Sequence, residues 1–220
     1  MSQPLVTVVM PVRNCEKTVA VAMRSVLNQS FQDWEMLVID DGSSDGTLVE
    51  VRRFQDSRVR VLHDGYSKGL PARLNEAIKE ASSEFLARMD GDDVCYPERL
   101  QLQLKYLRSH PGVHLVGGGV LVFGVNGLPL GKREGPESHD RICIRPHAGF
   151  PIVHPTFCGK ADWFRRFRYR GFAVRCEDQD MLLRGFRTSR YANVPGIVLG
   201  YREGHLDLGK SFLDVHNGYQ

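Results

Sequence analysis

The chain is poor in the features that would make its class obvious. Five cysteines in 220 residues form no Cys-x-x-Cys pair. That odd count argues against a disulfide framework and a structural zinc site, and for reduced, structural thiols. No apolar run approaches the roughly 20 residues of a membrane-spanning helix. The opening Met-Ser-Gln-Pro lacks the basic and apolar regions of a signal peptide. A cytoplasmic location is therefore expected, with peripheral attachment at the inner face of the membrane left open. Charge of one sign is scarce too: a net +3 is too small to point to nucleic acid. Two phosphate-binding signatures are missing. There is no G-x-x-x-x-G-K-[ST], and the first apolar run leads into Pro11-Val-Arg-Asn14 instead of G-x-G-x-x-G. Repeats, linkers and low-complexity tracts are also absent, so one domain over 1–220 is expected.

What is present alternates between two periods. Leu5–Met10, Trp34–Ile39, Arg58–Leu62 and Phe85–Met89 are short apolar or β-branched runs that predict buried strands. Between them, Val19, Ala22, Met23 and Val26 recur at helical spacing, as do Leu74, Ala77, Ile78 and Ala81. Pro71 suits a first helical turn, a short helix is expected near Thr47–Phe54 with capping hydroxyls from the serines before it, and Pro97 opens a helix with Leu100, Leu104 and Leu107 inward. One or two strands follow over 113–125. This β-α alternation predicts an α/β fold with a mainly parallel, Rossmann-like sheet flanked by helices. From Gly127 to about Pro151 the pattern breaks down and predicts loop. A buried helix beginning near Glu177 and a strand over Ile197–Tyr201 complete the expected elements.

The acids are concentrated where strands end. Val38-Ile-Asp-Asp41 and Arg88-Met-Asp-Gly-Asp-Asp93 each finish an apolar run in carboxylates. Clustered acids at a buried strand end are costly unless a cation or several donors meet them. Ligands of open α/β sheets bind at the carboxyl ends of the strands. Mg²⁺ and Mn²⁺ take oxygen ligands, commonly one or two carboxylates plus substrate phosphates. A calcium loop starting at Asp41 fails, because its twelfth position is Arg52 and not Glu. Five arginines between positions 165 and 175, beside Trp163 and Phe164, make a local basic cluster. Guanidinium groups pair with phosphate, so this cluster and the loop at about Gly131–Pro151 are expected to face a phosphate-bearing ligand or an anionic surface; a solvated basic face is the alternative.

Six motifs occur in order: Val9-Met-Pro-Val-Arg-Asn14, Asp40-Asp-Gly-Ser-Ser-Asp-Gly-Thr47, Gly69-Leu-Pro-Ala-Arg-Leu-Asn75, Ala87-Arg-Met-Asp-Gly-Asp-Asp93 with Pro97-Glu-Arg-Leu100, His154-Pro-Thr156 and Glu177-Asp178. Together they resemble the family 2 glycosyltransferases of the GT-A fold, over about residues 4–205, and in particular the branch that builds bacterial surface polysaccharides. The resemblance implies an inverting, metal-dependent enzyme using Mn²⁺ or Mg²⁺. Its donor would be a UDP-sugar and its acceptor a saccharide or a lipid-linked saccharide. It implies a nucleotide-sugar half at about 1–125 and an acceptor half at about 126–220. Residue by residue, Pro11, Val12, Arg13 and Asn14 match the loop along the nucleotide base. Asp41 matches the acid that accepts from uracil N3, with Asp40 supporting that loop. Lys68 and Arg73 match basic positions near the nucleotide, or are solvated loop cations. Asp90 matches the acid near the ribose and Asp92 the metal ligand, while Asp93 faces its own loop or caps a helix. His154 and Glu177 fall on the sugar and acceptor side, and Asp178 matches the catalytic base. His205 matches a further phosphate or metal contact, displaced by one residue in Tyr201-Arg-Glu-Gly-His205. A catalytically retired nucleotide-binding scaffold is the rival from another class; a nucleotidyltransferase lacks support because its Gly-rich basic loop after the first strand is missing.

Overall fold

The computed structural model describes residues 3–173 and 175–204; His205 lies outside them. The apolar runs become β1 (Val6–Val12), β2 (Trp34–Asp40), β3 (Val59–Leu62) and β4 (Phe85–Arg88). They lie in the order β3-β2-β1-β4, all parallel. The helices between them are α1 (Val19–Leu27), α2 (Thr47–Arg52) and α3 (Leu70–Glu80). Alternate residues of β1 serve opposite faces. Val6, Val8, Met10 and Val12 pack with Val19, Met23 and Val26 of α1, while Val9 packs with Leu74, Ala77 and Ile78 of α3. Burial on both faces explains why these strands read as continuous apolar runs instead of alternating ones.

The sheet then continues through β8 (Cys158–Lys160), β6 (Leu115–Phe123), β9 (Tyr191–Arg202) and β5 (Val94–Cys95), with β7 (Pro129–Arg133) paired to β6. Here directions mix: β6 and β9 are parallel, whereas β8 is antiparallel to both β4 and β6. Helix α4 (Arg99–Ser109) covers one face with Leu100, Leu104 and Leu107. On the other face lie α6 (Ala161–Arg166) and α7 (Glu177–Gly185), and a short α5 (His139–Ile142) leads into them.

Four local expectations change. β1 runs through Pro11 to Val12 instead of stopping at Met10. Val9 O accepts from Met89 N, and Val12 O accepts from Asp41 N. The alternation places Pro11 on the β4 side, beyond the last β1–β4 pair at Val9 and Arg88, so its missing N–H interrupts nothing. The stretch expected as loop after Gly127 contains β7, all five residues of it exposed; pairing with β6 creates this strand, not burial. β9 spans twelve residues, starting well before the apolar run that marked it. The serines before α2 do not cap it; Asp45 Oδ1 accepts from Thr47 N at 2.9 Å, and Glu16 Oε2 accepts from Gly46 N at 2.8 Å.

Candidate active site

The connections from β1 lead to β2 on one side and, through β3, to β4 on the other. Such a reversal opens a crevice at the carboxyl ends of the strands. A cavity of about 670 Å³ lies there, walled by the segment Pro11 to Thr18, by Asp45, by Asp90, Gly91 and Asp92, and by Arg202. The β1 loop is stitched to the β2 loop. Asn14, at φ 49°, donates from its N to Ser43 Oγ and accepts from Ser44 N at its Oδ1. Cys15 N donates to Thr47 Oγ1 and Glu16 N to Asp45 Oδ2. Pro11, Val12, Arg13 and Asn14 thus stand on the cavity wall.

Asp40 and Asp41 divide their work. Asp40 is fully buried and accepts from Gly42 N and Ser43 N, with His63 Nδ1 at 3.1 Å. It supports the loop. Asp41, 5% exposed, accepts from Lys68 N at 2.6 Å, from Gly69 N and Arg73 Nε at 3.1 Å, and from Ser67 Oγ at 3.2 Å. Burial opposes its charge, but these donors outweigh that and lower its pKa. Three of them converge on Oδ1. Oδ2 accepts from Ser67 Oγ and, at 3.2 Å, also from Gly69 N, and the exposed Arg13 guanidinium stands 3.7 Å from it.

Lys68 and Arg73 are not free cations on the cavity wall. Arg73 is 2% exposed and pairs with Asp41, Asp64 and Glu76, while also donating to Tyr66 O. Lys68 Nζ pairs with Asp64 and Glu76. Both build the frame that aims Asp41.

Asp90, Asp92 and Asp93 each bring a carboxylate oxygen within 4.8 Å of the other two. Asp92 is half-buried, and burial followed by repulsion from Asp90 pushes its carboxyl up to about 6. The same two causes push Asp93 up further. Asp93 Oδ1 accepts from Arg202 N at 2.9 Å, but its buried Oδ2 has no hydrogen-bond partner among the described residues. An orphaned carboxylate oxygen amid mutually repelling acids suits a divalent cation. Arg88 Nη2 holds Asp90 Oδ1 at 2.7 Å, and Arg202 Nε donates to Asp92 O.

The second half contributes from the far side. His154 Nε2 lies 2.8 Å from Tyr169 Oη. Desolvation, with Arg88 nearby, holds the imidazole well below its usual pKa and so neutral. Asn75 locks Tyr169 in place through both backbone groups. Glu177 and Asp178 open α7 in its first turn, where the helix dipole favours carboxylates. Glu177 is 9% exposed and burial raises its pKa. Asp178 is half-buried, and its Oδ2 accepts from Gln179 Nε2 at 3.0 Å.

The basic cluster does not hold together. Trp163 and Phe164 are core residues, 3% and 2% exposed. Arg165 donates to Asp162 and to Ala81 O. That places it near the amino end of β4, the sheet edge opposite the cavity. Arg170 instead turns to Asp180 of α7. Sequence reading also passed over Arg88, Tyr169 and Arg202. Arg88 and Arg202 each carried a signal, since they sit in the motifs Ala87-Arg-Met-Asp-Gly-Asp-Asp93 and Tyr201-Arg-Glu-Gly-His205; a lone Tyr carries none until the fold places it.

The glycosyl transferase family 2 model matches residues 7–170. The protein EpsE of Bacillus subtilis is 35% identical over 191 residues, covering 84% of this chain and 68% of its own length. UDP-Glc:alpha-D-GlcNAc-diphosphoundecaprenol beta-1,3-glucosyltransferase WfgD of Escherichia coli is 35% identical over 172 residues, 70% of this chain and 67% of WfgD. Among solved structures, S. aureus TarS 1-349 in complex with UDP-GlcNAc superposes with a TM-score of 0.73 at 21% identity, over 90% of this chain and 58% of that one. The chain thus spans about two thirds of these relatives and less of TarS. The structural likeness establishes a GT-A glycosyltransferase fold.

Proposed function

We propose, from the premise that the chain belongs to glycosyl transferase family 2, that it transfers a sugar from a UDP-sugar to an acceptor hydroxyl with inversion. The observation that carries this reading is the group Asp90, Asp92 and Asp93, gathered within 4.8 Å, with Asp90 and Asp92 on the wall of the cavity that the Pro11–Asn14 loop also lines. In this reading residues of about 1–125 hold the donor and those of about 126–220 bring the acceptor.

Pro11 to Asn14 lie along the base, and Asp41 Oδ2 accepts from uracil N3–H. Asp90 faces the ribose. Asp92, with Asp93 Oδ2 beside it, would hold Mn²⁺ or Mg²⁺, and the ion would neutralise charge on the leaving diphosphate. Arg202 adds a guanidinium on the same side. His154, neutral and fixed by Tyr169, and Glu177 border the sugar. Asp178 takes the proton from the acceptor hydroxyl as that oxygen attacks C1 opposite the leaving UDP. No second nucleophilic carboxylate is required, because inversion is a single displacement. A lipid-linked saccharide is the acceptor this reading favours, since the relative WfgD is named for a diphosphoundecaprenol-linked sugar. No helix among the described residues is long and apolar enough to cross a membrane, so contact with such an acceptor is assigned to the periphery of the bilayer.

The test is Asp178→Asn with product analysis by NMR. General-base loss typically costs about 10²–10⁴-fold in rate, with UDP-sugar affinity nearly unchanged. The product from an α-linked donor is β-linked. An α-glycoside, or full activity in Asp178→Asn, overturns the mechanism.

A further inference from the structure

Arg88 is the least comfortable side chain near the site. It ends β4 with its side chain 6% exposed. Nη2 is satisfied by Asp90, but Nε and Nη1 are buried with no acceptor among the described residues. A buried donor left unpaired costs on the order of 1–3 kcal/mol, and more for a charged group. Such a group calls for an explanation, and a role in the reacting complex is one. The surroundings indicate which. Burial opposes the guanidinium charge, and Asp90, Tyr169, Asp93 and Asp178 offset it. The charge is felt in turn by His154 and Glu177. Arg88 is thus the cation within electrostatic range of both acid groups, one at the end of β4 and one at the start of α7.

We propose that Arg88 is a positioning residue that joins the two groups: Nη2 holds Asp90 in the free protein, and the unpartnered N–H groups take one carboxylate oxygen of Asp178 when substrates close the site. The other oxygen of Asp178 is then aimed at the acceptor hydroxyl. This rests on the role given to Asp178 above. An interaction absent from the free protein and made in the reacting complex lowers the barrier without tightening ground-state binding. Arginine suits it because its planar fork serves two carboxylates at once, which a lysine ammonium does not.

The test is a cycle of Arg88→Met, Asp178→Asn and the double variant. kcat and KM are measured for transfer from the UDP-sugar, and thermal melting is measured without substrate. Arg88→Met is expected to lower kcat about 10²-fold, the scale of one preorganised donor, with KM changed less than about threefold. Arg88→Met also takes the partner from Asp90, and breaking a buried pair from one side is destabilising, so a lower melting point is expected and the kinetics are read well below it. The double variant is no slower than Asp178→Asn alone, because both remove the same device. Arg88→Lys recovers part of the rate and carries the cycle if Arg88→Met fails to fold. A kcat within about threefold of the parent, additive losses in the double variant, or a fall in KM-limited binding that accounts for the whole loss each overturn the proposal. Full activity in Asp178→Asn overturns the base assignment itself, and Arg88's role with it. A parent that transfers no sugar refutes the proposed function directly.

Discussion

The acid cluster makes a signed prediction about stability. Asp92 has its carboxyl raised from 3.8 to about 6. A raised acid pKa means that the folded chain holds the proton more tightly than the unfolded one. The associated stability is fully present below pH 3.8 and is lost as pH rises through about 6. The difference of 2.2 between those values, at 1.36 kcal/mol per pKa unit, gives an upper bound of about 3 kcal/mol; water reaching this half-buried group lowers it. Asp93 adds to the effect in the same direction. At about 2–4 °C per kcal/mol for a chain of this size, the metal-free protein melts up to about 10 °C lower at pH 7.5 than this group alone would allow at pH 4. A divalent cation replaces the proton and cancels that loss. Differential scanning calorimetry with EDTA or 1 mM-scale Mn²⁺ reads it: stabilisation by Mn²⁺ is expected to be large at pH 7.5 and small at pH 4.5. Asp92→Asn, which cannot ionise, flattens the pH dependence and removes most of the Mn²⁺ response. Equal stabilisation at both pH values, or a full Mn²⁺ response in Asp92→Asn, refutes the reasoning.

Two further predictions concern the frame around Asp41. Arg73→Met leaves Asp41 buried without its guanidinium partner, and breaking a buried pair from one side costs about 3 kcal/mol; urea denaturation is expected to show that loss together with weaker UDP binding, and a change under about 1 kcal/mol counts against it. If Asp41 accepts from uracil N3–H as proposed, it would meet an acceptor at cytosine N3, so UDP is expected to bind about tenfold or more tightly than CDP; equal affinities by isothermal titration remove Asp41 from base recognition.

Much of the donor side was legible in the sequence because its signals are local. A β-branched run, a following helix period and an acid-rich turn name β1, β2 and β4 and put Asp40, Asp41, Asp90 and Asp92 at their ends. Pro71 marked the first turn of α3 for the same reason. The second half was harder, since its elements are defined by distant partners. β7 exists through its pairing with β6, and no burial pattern announces it. The arginines at 165–175 looked like one patch in sequence, yet Arg165 turns to Asp162 and Ala81 O while Arg170 turns to Asp180 of α7. Lys68 and Arg73 carried the right charge for a phosphate but are consumed by Asp64 and Glu76, a pairing visible only in three dimensions. Arg88 lies inside a motif, but its burial and its unpaired donors arise from packing, not from spacing.

The bond from Arg202 N to Asp93 Oδ1 joins residues 109 positions apart. β5 likewise gains its strand partner only from β9, through Val94 with Gly200 and Cys95 with Leu199. Contacts of such separation are slow to form because loop closure must come first. A ribosome therefore delivers β1 to β4, with their parallel edges already able to pair, long before the acids at the end of β4 acquire their last support. During that interval a nascent chain can hold the loops after β1 and β2 without the finished acid cluster. Competence for chemistry is in this way tied to the docking of β9, and a chain interrupted before it retains much of the scaffold while lacking the arrangement that lets the acids work.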